Sequence, residues 1–173
     1  LSSIYGKIFD NIVLFRYGDR LSSSELQFGF KSKSSTNLCT MVLKESISYY
    51  THHQSTVFCT FLDASKAFDR VRYCKLFRLL VNRQVPALII RVLINFYVGN
   101  FVRVQWSGIV SDYFLAGNGV KQGGVLSPVL FCLYIDGLLA ALSRAGVGCF
   151  VGNNFVGALA YADDIALLAP SAS

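Results

Sequence analysis

Asp163 and Asp164 stand side by side in a stretch that is otherwise apolar, with Gly157-Ala158-Leu159-Ala160 shortly before them and Ile165-Ala166-Leu167-Leu168 after. Two like charges about 4 Å apart repel by on the order of 4 kcal/mol at an effective dielectric near 20. A chain that places such a pair in an apolar setting is expected to offer a cation in return. A further acidic site lies far upstream, at Asp63 in Phe61-Leu62-Asp63-Ala64-Ser65-Lys66-Ala67-Phe68-Asp69. One carboxylate at the end of one apolar segment and two in the middle of another suggest a binuclear metal site assembled from distant parts of the chain.

The chain has 173 residues, about one domain by length. It is 53% hydrophobic and only 15% charged, against about 25% charged in a typical soluble domain. Scarce charge suits either a membrane-associated chain or a core excised from a larger protein. The longest uncharged run, Ala145 to Ala162, carries four glycines and the pair Asn153-Asn154. Gly-Asn-Asn is a hairpin signal, which argues against a membrane helix and against stable membrane insertion. Leu1 to Tyr17 has charges throughout and no cleavage pattern of a signal peptide. The absence of Met at position 1 suggests an internal fragment. The net charge of +6 is compatible with a polyanionic partner. Five cysteines without a C-x-x-C spacing indicate reduced thiols in an intracellular protein rather than a disulfide framework or zinc site. His52 and His53 diverge on a helix and read as a solvated pair.

Periodicity gives a coarse map. Ser2-Ser3 can cap a helix whose apolar face is Ile4, Ile8, Ile12 and Phe15, ended by Gly18. Leu21 to Ser35 reads as loop or irregular strand, and Ser35-Thr36 opens a second helix to about Tyr50. Thr56 to Asp63 is apolar on both faces and reads as a buried central strand, with Asp63 emerging at its C-terminal end. Helices are expected through Lys75 to Leu80 and, after Pro86, from Ala87 to Tyr97. Phe101 to Trp106 and Asp112 to Leu115 resemble a hairpin turning near Ser107-Gly108. Ser127-Pro128 caps and opens a long apolar helix ending near Gly146. Two strands flank Asn153-Asn154, and the second leads into a tight hairpin with Asp163-Asp164 at its tip, completed by Ile165 to Ala169. The fold class is α+β, an antiparallel sheet faced by helices.

Two divalent ions about 3.5–4 Å apart can stabilise the attacking and leaving oxygens of an in-line phosphoryl transfer. Magnesium prefers hard oxygen ligands and keeps positions for water and substrate phosphate. Asp63 and Asp163 could bridge such ions, with Asp164 supporting them or binding part of the time. Each element has a plainer reading by itself: Asp-Asp as an ordinary turn, Asp69 as a cap or ion-pair member, Gly119 to Pro128 as a loop and helix start. Together with the carboxylates, Lys121 and Gln122 add polar contacts in a segment whose glycines permit close backbone approach.

At this point a family resemblance emerges. Phe61 to Asp69, Gly119-Val120-Lys121-Gln122-Gly123-Gly124-Val125-Leu126-Ser127-Pro128 and Tyr161-Ala162-Asp163-Asp164 resemble three successive motifs of reverse transcriptases. Gln27-Phe28-Gly29-Phe30-Lys31 followed by Ser35-Thr36 resembles an upstream finger motif of the same family. The variant looks like the non-LTR, LINE-type retrotransposon enzymes, with group II intron enzymes the nearest confusable relatives. The resemblance implies a right-hand polymerase core, with partial fingers over about residues 1–55 and a palm with finger insertions over about 56–173. It implies an RNA-directed DNA polymerase working with two Mg²⁺ ions, for which Mn²⁺ can substitute, on an RNA template, a DNA primer and a dNTP.

By the same resemblance Asp63, Asp163 and Asp164 are the catalytic carboxylates, and the Ala64 carbonyl is a further metal ligand. Phe68 is the bulky residue under the nucleotide sugar that excludes a 2′-hydroxyl. Gln122, Gly123 and Gly124 line the nucleotide pocket, and Tyr161, Lys31 and Lys121 lie toward primer and template. The family's triphosphate-gripping segment would precede Leu1, and its primer grip, thumb and endonuclease domain are absent from the sequence. The expectation is therefore a fragment, inactive when isolated, from a protein of nucleus and cytoplasm. A noncatalytic nucleic-acid-binding remnant of a decayed element is the alternative.

Overall fold

The computed structural model describes residues 4–171, so the expected Ser2-Ser3 cap lies outside the described residues. In chain order the elements begin with α1 (Ile4–Tyr17), a 3-10 turn (Gly18–Leu21), α2 (Thr36–His52), β1 (Phe58–Leu62), a second 3-10 turn (Phe68–Arg70), α3 (Tyr73–Asn82) and α4 (Ala87–Tyr97). They continue with β2 (Phe101–Val102), β3 (Gln105–Trp106), β4 (Ile109–Val110), β5 (Phe114–Leu115), α5 (Ser127–Arg144), β6 (Phe150–Val151), β7 (Asn154–Phe155), β8 (Ala158–Tyr161) and β9 (Asp164–Ala169). The chain divides into two compact units, each made of two separate stretches: Leu1–Leu21 with Phe68–Leu130, and Ser22–Ala67 with Phe131–Ser173.

In the first unit, Val71, Leu76, Leu80, Val85, Leu93 and Leu126 are buried. Leu76 and Leu80 lie four apart on α3, and Ile90 and Leu93 three apart on α4, so each helix turns one stripe inward. Pro86 precedes α4, where its missing N–H costs nothing, and its carbonyl accepts the Ile90 amide at 3.1 Å. The α1 helix forms, but on a different face from the one expected. Ile4, Ile8, Ile12 and Phe15 are exposed, while Val13 is buried. The inward row is Phe9 and Val13, with Phe9 meeting the edge of Phe96 at 5.4 Å. The expected hairpin appears as β2 paired with β5 and β3 paired with β4. Its turn falls at Ser107 and Gly108, whose φ angles of 47° and 82° supply the two left-handed residues that a tight hairpin needs.

The second unit is built on a sheet of order β1-β9-β8. β8 is covered on both faces. Leu159 belongs to a cluster against which Leu38, Val42 and Ile47 of α2 pack, and Ala158 and Ala160 to a second that includes Leu139 and is packed by Ile135 and Leu142 of α5. The free edge of β8 is taken by Leu26 to Phe28, which bridges it in parallel at Gln27 and Ala160. The Phe28 amide donates to the Ala160 carbonyl at 2.7 Å, and the Ala160 amide donates to the Leu26 carbonyl at 2.8 Å.

Several expectations need correction. β1 is not a buried central strand: among the described residues it pairs only with β9, at the sheet edge, and all five of its residues are exposed. The strand expected to run from Asn154 into the acidic pair is broken at Gly157. β6 and β7 form their own ribbon, and a Cβ at Gly157 would stand 2.6 Å from the Phe155 ring. The hairpin tip is Ala162-Asp163, since Tyr161 pairs with Asp164 as the first residue of β9. Ser127 is the first helical residue of α5 rather than a residue before it. By length and composition α5 could cross a membrane, but Leu130, Phe131, Leu133 and Leu139 are buried within the protein. Ala145 to Ala162 forms turns and short strands rather than a helix.

Candidate active site

The three carboxylates gather at one end of the sheet in the second unit. Leu62 pairs with Ile165, so Asp63 leaves β1 at the end where Asp164 begins β9. Asp63 and Asp164 line one cavity of about 300 Å³, together with Phe61, Tyr161, Ile165 and, from α2, Cys39 and Leu43. Asp163 occupies the turn beside them and is close enough to α5 for its charge to raise the pKa of the Cys132 thiol. Asp63 and Asp163, expected together at the metals, lie at the same sheet end, with Asp164 beside Asp63 on the cavity. The acidic pair is not buried. Asp164 is exposed and Asp163 half-exposed, so water screens much of their repulsion.

The turn that carries Asp163 is held from below. Ala162 has a φ of +58° and is buried, in the left-handed region that L residues seldom adopt. The side-chain oxygen of Gln27 accepts the Ala162 N–H at 2.9 Å, and its nitrogen donates to the Ala162 carbonyl at 3.1 Å. The same oxygen accepts the Gly29 N–H at 2.8 Å. A Cβ at Gly29 would lie 2.5 Å from the Ala162 nitrogen, so only glycine lets the two backbones come so close. Sequence inspection placed Gln27 in a motif without a role. The available signal was a polar amide between Leu26 and Phe28, at a position that the parallel bridge makes fully buried.

The residues expected at the nucleotide belong to the first unit, where two backbone segments are stitched together. The Val120 amide donates to the Phe68 carbonyl at 3.0 Å and the Gly119 amide to the Val71 carbonyl at 2.9 Å. Gly119 has a φ of +92°, and a Cβ there would stand 2.9 Å from the Asp69 Cα. Gln122 donates to the Asp69 carboxylate at 3.4 Å. Phe68 is half-buried, and Gln122 and Gly123 are exposed. Gly123 turns at a φ of +78°, and a Cβ at Gly124 would stand 2.6 Å from the Ser127 hydroxyl.

The two lysines have partners within the chain. The Lys31 ammonium donates to the Ser24 carbonyl at 2.7 Å. The Lys121 ammonium lies over the Phe96 and Tyr97 rings, 5.2 and 5.7 Å from their centroids. Burial lowers its pKa, and the charge of Asp10 pushes the other way. Sequence reading passed over Asp10. One of its oxygens accepts the Val125 and Leu126 amides at 3.0 and 3.2 Å, just ahead of α5.

Among the described residues, no three His, Cys, Asp or Glu side chains form a group that could hold a metal ion. Magnesium does not require such a cage. It commonly binds through one or two carboxylates and takes its other oxygens from water and substrate phosphate. Asp63 and Asp164 are hard oxygen donors on one cavity. The Ala64 carbonyl accepts the Ala67 amide at 3.1 Å and retains a second lone pair. The donor chemistry therefore fits a hard divalent cation.

Comparison with known proteins extends this picture. The sequence profile of the family described as "Reverse transcriptase (RNA-dependent DNA polymerase)" matches residues 2–173. The chain is 36% identical over 117 residues to a retrovirus-related Pol polyprotein from the type-2 retrotransposable element R2DM of Drosophila melanogaster, covering 68% of this chain and 11% of that protein. It is 31% identical over 134 residues to a probable RNA-directed DNA polymerase from transposon X-element of the same species, covering 74% and 14%. The chain thus spans a small part of the curated relatives it matches. Among solved structures, telomerase from Candida albicans, in complex with a TWJ fragment of telomeric RNA, superposes on 96% of this chain and 30% of its own. The TM-score is 0.58 at 13% identity, a likeness of fold. Apo telomerase from Candida tropicalis gives 0.59.

Proposed function

This chain belongs to the reverse transcriptase family, and from that premise we propose that it carries the catalytic region of an RNA-directed DNA polymerase of a non-LTR retrotransposon. The observation that carries the proposal is the meeting of Asp63 and Asp164 on one cavity at the sheet end, with Asp163 on the adjoining turn. In this reading the palm, with finger insertions, spans about residues 56–173 and holds the sheet and α5, and the partial fingers lie over about residues 1–55. The reaction is attack of a primer 3′-hydroxyl on the α-phosphate of a dNTP, with release of pyrophosphate. Catalysis of this kind is mainly positioning and charge stabilisation.

Asp63, Asp163, Asp164 and the Ala64 carbonyl would hold two Mg²⁺ ions, or Mn²⁺ in their place, which when bound supply Lewis acidity and neutralise phosphate charge. Phe68 would pack against the sugar and refuse a 2′-hydroxyl. Gln122, Gly123 and Gly124 would line the base and sugar side of the pocket, where an exposed glycine backbone lets the nucleotide approach closely. Tyr161, half-buried at the end of β8, would flank the primer terminus. Lys121 and Lys31 would face nucleic acid; an ammonium has three donors, so the Ser24 bond leaves Lys31 two. The protein would work in the nucleus and cytoplasm, and the 173 residues by themselves would not extend a primer.

The test is primer extension on an RNA template with Mg²⁺, using the longest natural polypeptide that contains this sequence. Loss of one metal-holding carboxylate removes several kcal/mol of transition-state stabilisation, and each 1.36 kcal/mol is tenfold in rate. Asp63→Asn, Asp163→Asn and Asp164→Asn should each cut incorporation by about a thousandfold. Activity that survives any of these substitutions removes that residue from the catalytic set. Salt-dependent RNA binding with no incorporation by the unmodified protein would favour the noncatalytic remnant.

A further inference from the structure

Ala162 combines two conditions that rarely coexist. It lies at the tip of a two-residue turn, where amides usually meet water, yet it is 6% exposed. It also holds a positive φ without being glycine, a conformation that costs an L residue energy and persists only where the surroundings enforce it. The enforcing group is Gln27. Its amide closes a ring with the N–H and C=O of Ala162, so both polar groups of one residue are bound by one side chain. The Gly29 amide fixes which way the Gln27 amide points: a flipped side chain would set an NH₂ against two N–H donors. Gln27 is itself fully buried and anchored by the parallel bridge to Ala160. Ala162 stands between Tyr161 and Asp163, so the direction in which Asp163 and Asp164 leave the turn depends on the peptide that Gln27 grips.

We infer that Gln27 is a positioning residue for nucleotide transfer: its amide clamps the Ala162 peptide and so sets the direction of the acidic pair. The inference rests on the polymerase reading above. It adds a residue outside the acidic cluster, on a segment more than a hundred positions upstream, that acts without touching substrate or metal. A clamp of this kind governs the geometry of the reacting centre rather than the affinity for dNTP, so its loss falls on kcat and spares KM.

Two measurements on the longest natural polypeptide containing this sequence test it. The first is hydrogen exchange at the Ala162 amide. In the unmodified protein this amide should exchange at least a hundredfold more slowly than a free turn amide, and exchange at the free rate overturns the clamp. In Gln27→Met, which keeps the length of the side chain and loses its hydrogen bonds, Ala162 should exchange at least tenfold faster while the Leu168 amide stays within twofold. The second is steady-state primer extension. Gln27→Met should lower kcat at least tenfold with the KM for dNTP within twofold. Gln27→Glu, whose fully buried carboxyl is held protonated, still accepts both amides and can offer its O–H to the Ala162 carbonyl, and should retain more activity than Gln27→Met. Unchanged exchange and kcat in both variants, or a raised KM with kcat intact, overturns the positioning role. An unmodified protein with Ala162 protected that extends no primer overturns the polymerase reading and the positioning role with it, a result distinct from the others.

Discussion

Burial pushes the Cys132 thiol up from 9.0 to about 12; the Lys31 ammonium pulls it down, while Asp136 and Asp163 add to the rise. A thiol so placed has almost no thiolate at neutral pH and is inert. Exposed Cys59 and Cys74 should therefore be modified first by a thiol reagent at pH 8, with Cys132 and Cys149 reacting only on unfolding. The same shift makes stability depend on alkaline pH. Above 9.0 the unfolded thiol gives up its proton while the folded one keeps it, so the unfolded state binds fewer protons and stability falls as pH rises from about 9 to about 12. Denaturant melts at pH 8 and pH 10.5 should show this loss, and Cys132→Ala should flatten it. At this scale the sequence was informative about the carboxylates, because adjacent acids in an apolar run are unusual. It was mute about Gln27 and Asp10, because nothing local distinguishes an amide that grips a distant backbone from one that meets water.

Elements were legible where the cause is local. Ser35 caps α2 by accepting the Leu38 amide at 3.2 Å, and both φ-positive residues of the long hairpin fall where Ser107-Gly108 predicted. They were misread where the cause is a neighbour. β1 has apolar residues on both faces, as a central strand does, but Leu26 to Phe28 occupies the free edge of β8 and leaves β1 outermost. In α1 the row Ile4, Ile8, Ile12 is as periodic as Phe9 and Val13, and it is the second row that turns inward, Phe9 against Phe96 and Val13 buried. Gly119 gives a test at this scale. Ala at 119 would have to adopt a φ of +92° with its Cβ 2.9 Å from Asp69, a strain of about 1–3 kcal/mol. Gly119→Ala should lower the melting temperature by roughly 2–12 °C, given about 2–4 °C per kcal/mol at this size. The 3-10 turn at Phe68–Arg70, packed directly against it, should be disturbed as well.

Across the whole molecule, each compact unit takes chain from two places, so neither is a continuous segment. A divalent cation held by Asp63 and Asp164 would tie together stretches distant in sequence and would stabilise the folded state. Mg²⁺ at a hundred times its Kd contributes about 2.7 kcal/mol, a rise of roughly 5–10 °C in melting temperature at this size. Asp63→Asn should abolish most of that rise, whereas an equal response in the variant would place the cation elsewhere. The amino-acid sequence by itself determined the helices, the turn residues, the three carboxylates and, through motifs in order, the family. Those follow from period, capping and chemistry, which act over a few neighbouring residues. Tertiary structure alone decided which strand is outermost, that Ala162-Asp163 rather than the acidic pair forms the hairpin tip, that Asp63 shares its cavity with Asp164, and that Gln27 grips the turn at Ala162. Those depend on which distant segments meet, and such meetings are settled by packing and by the need of every buried amide and carbonyl for a partner.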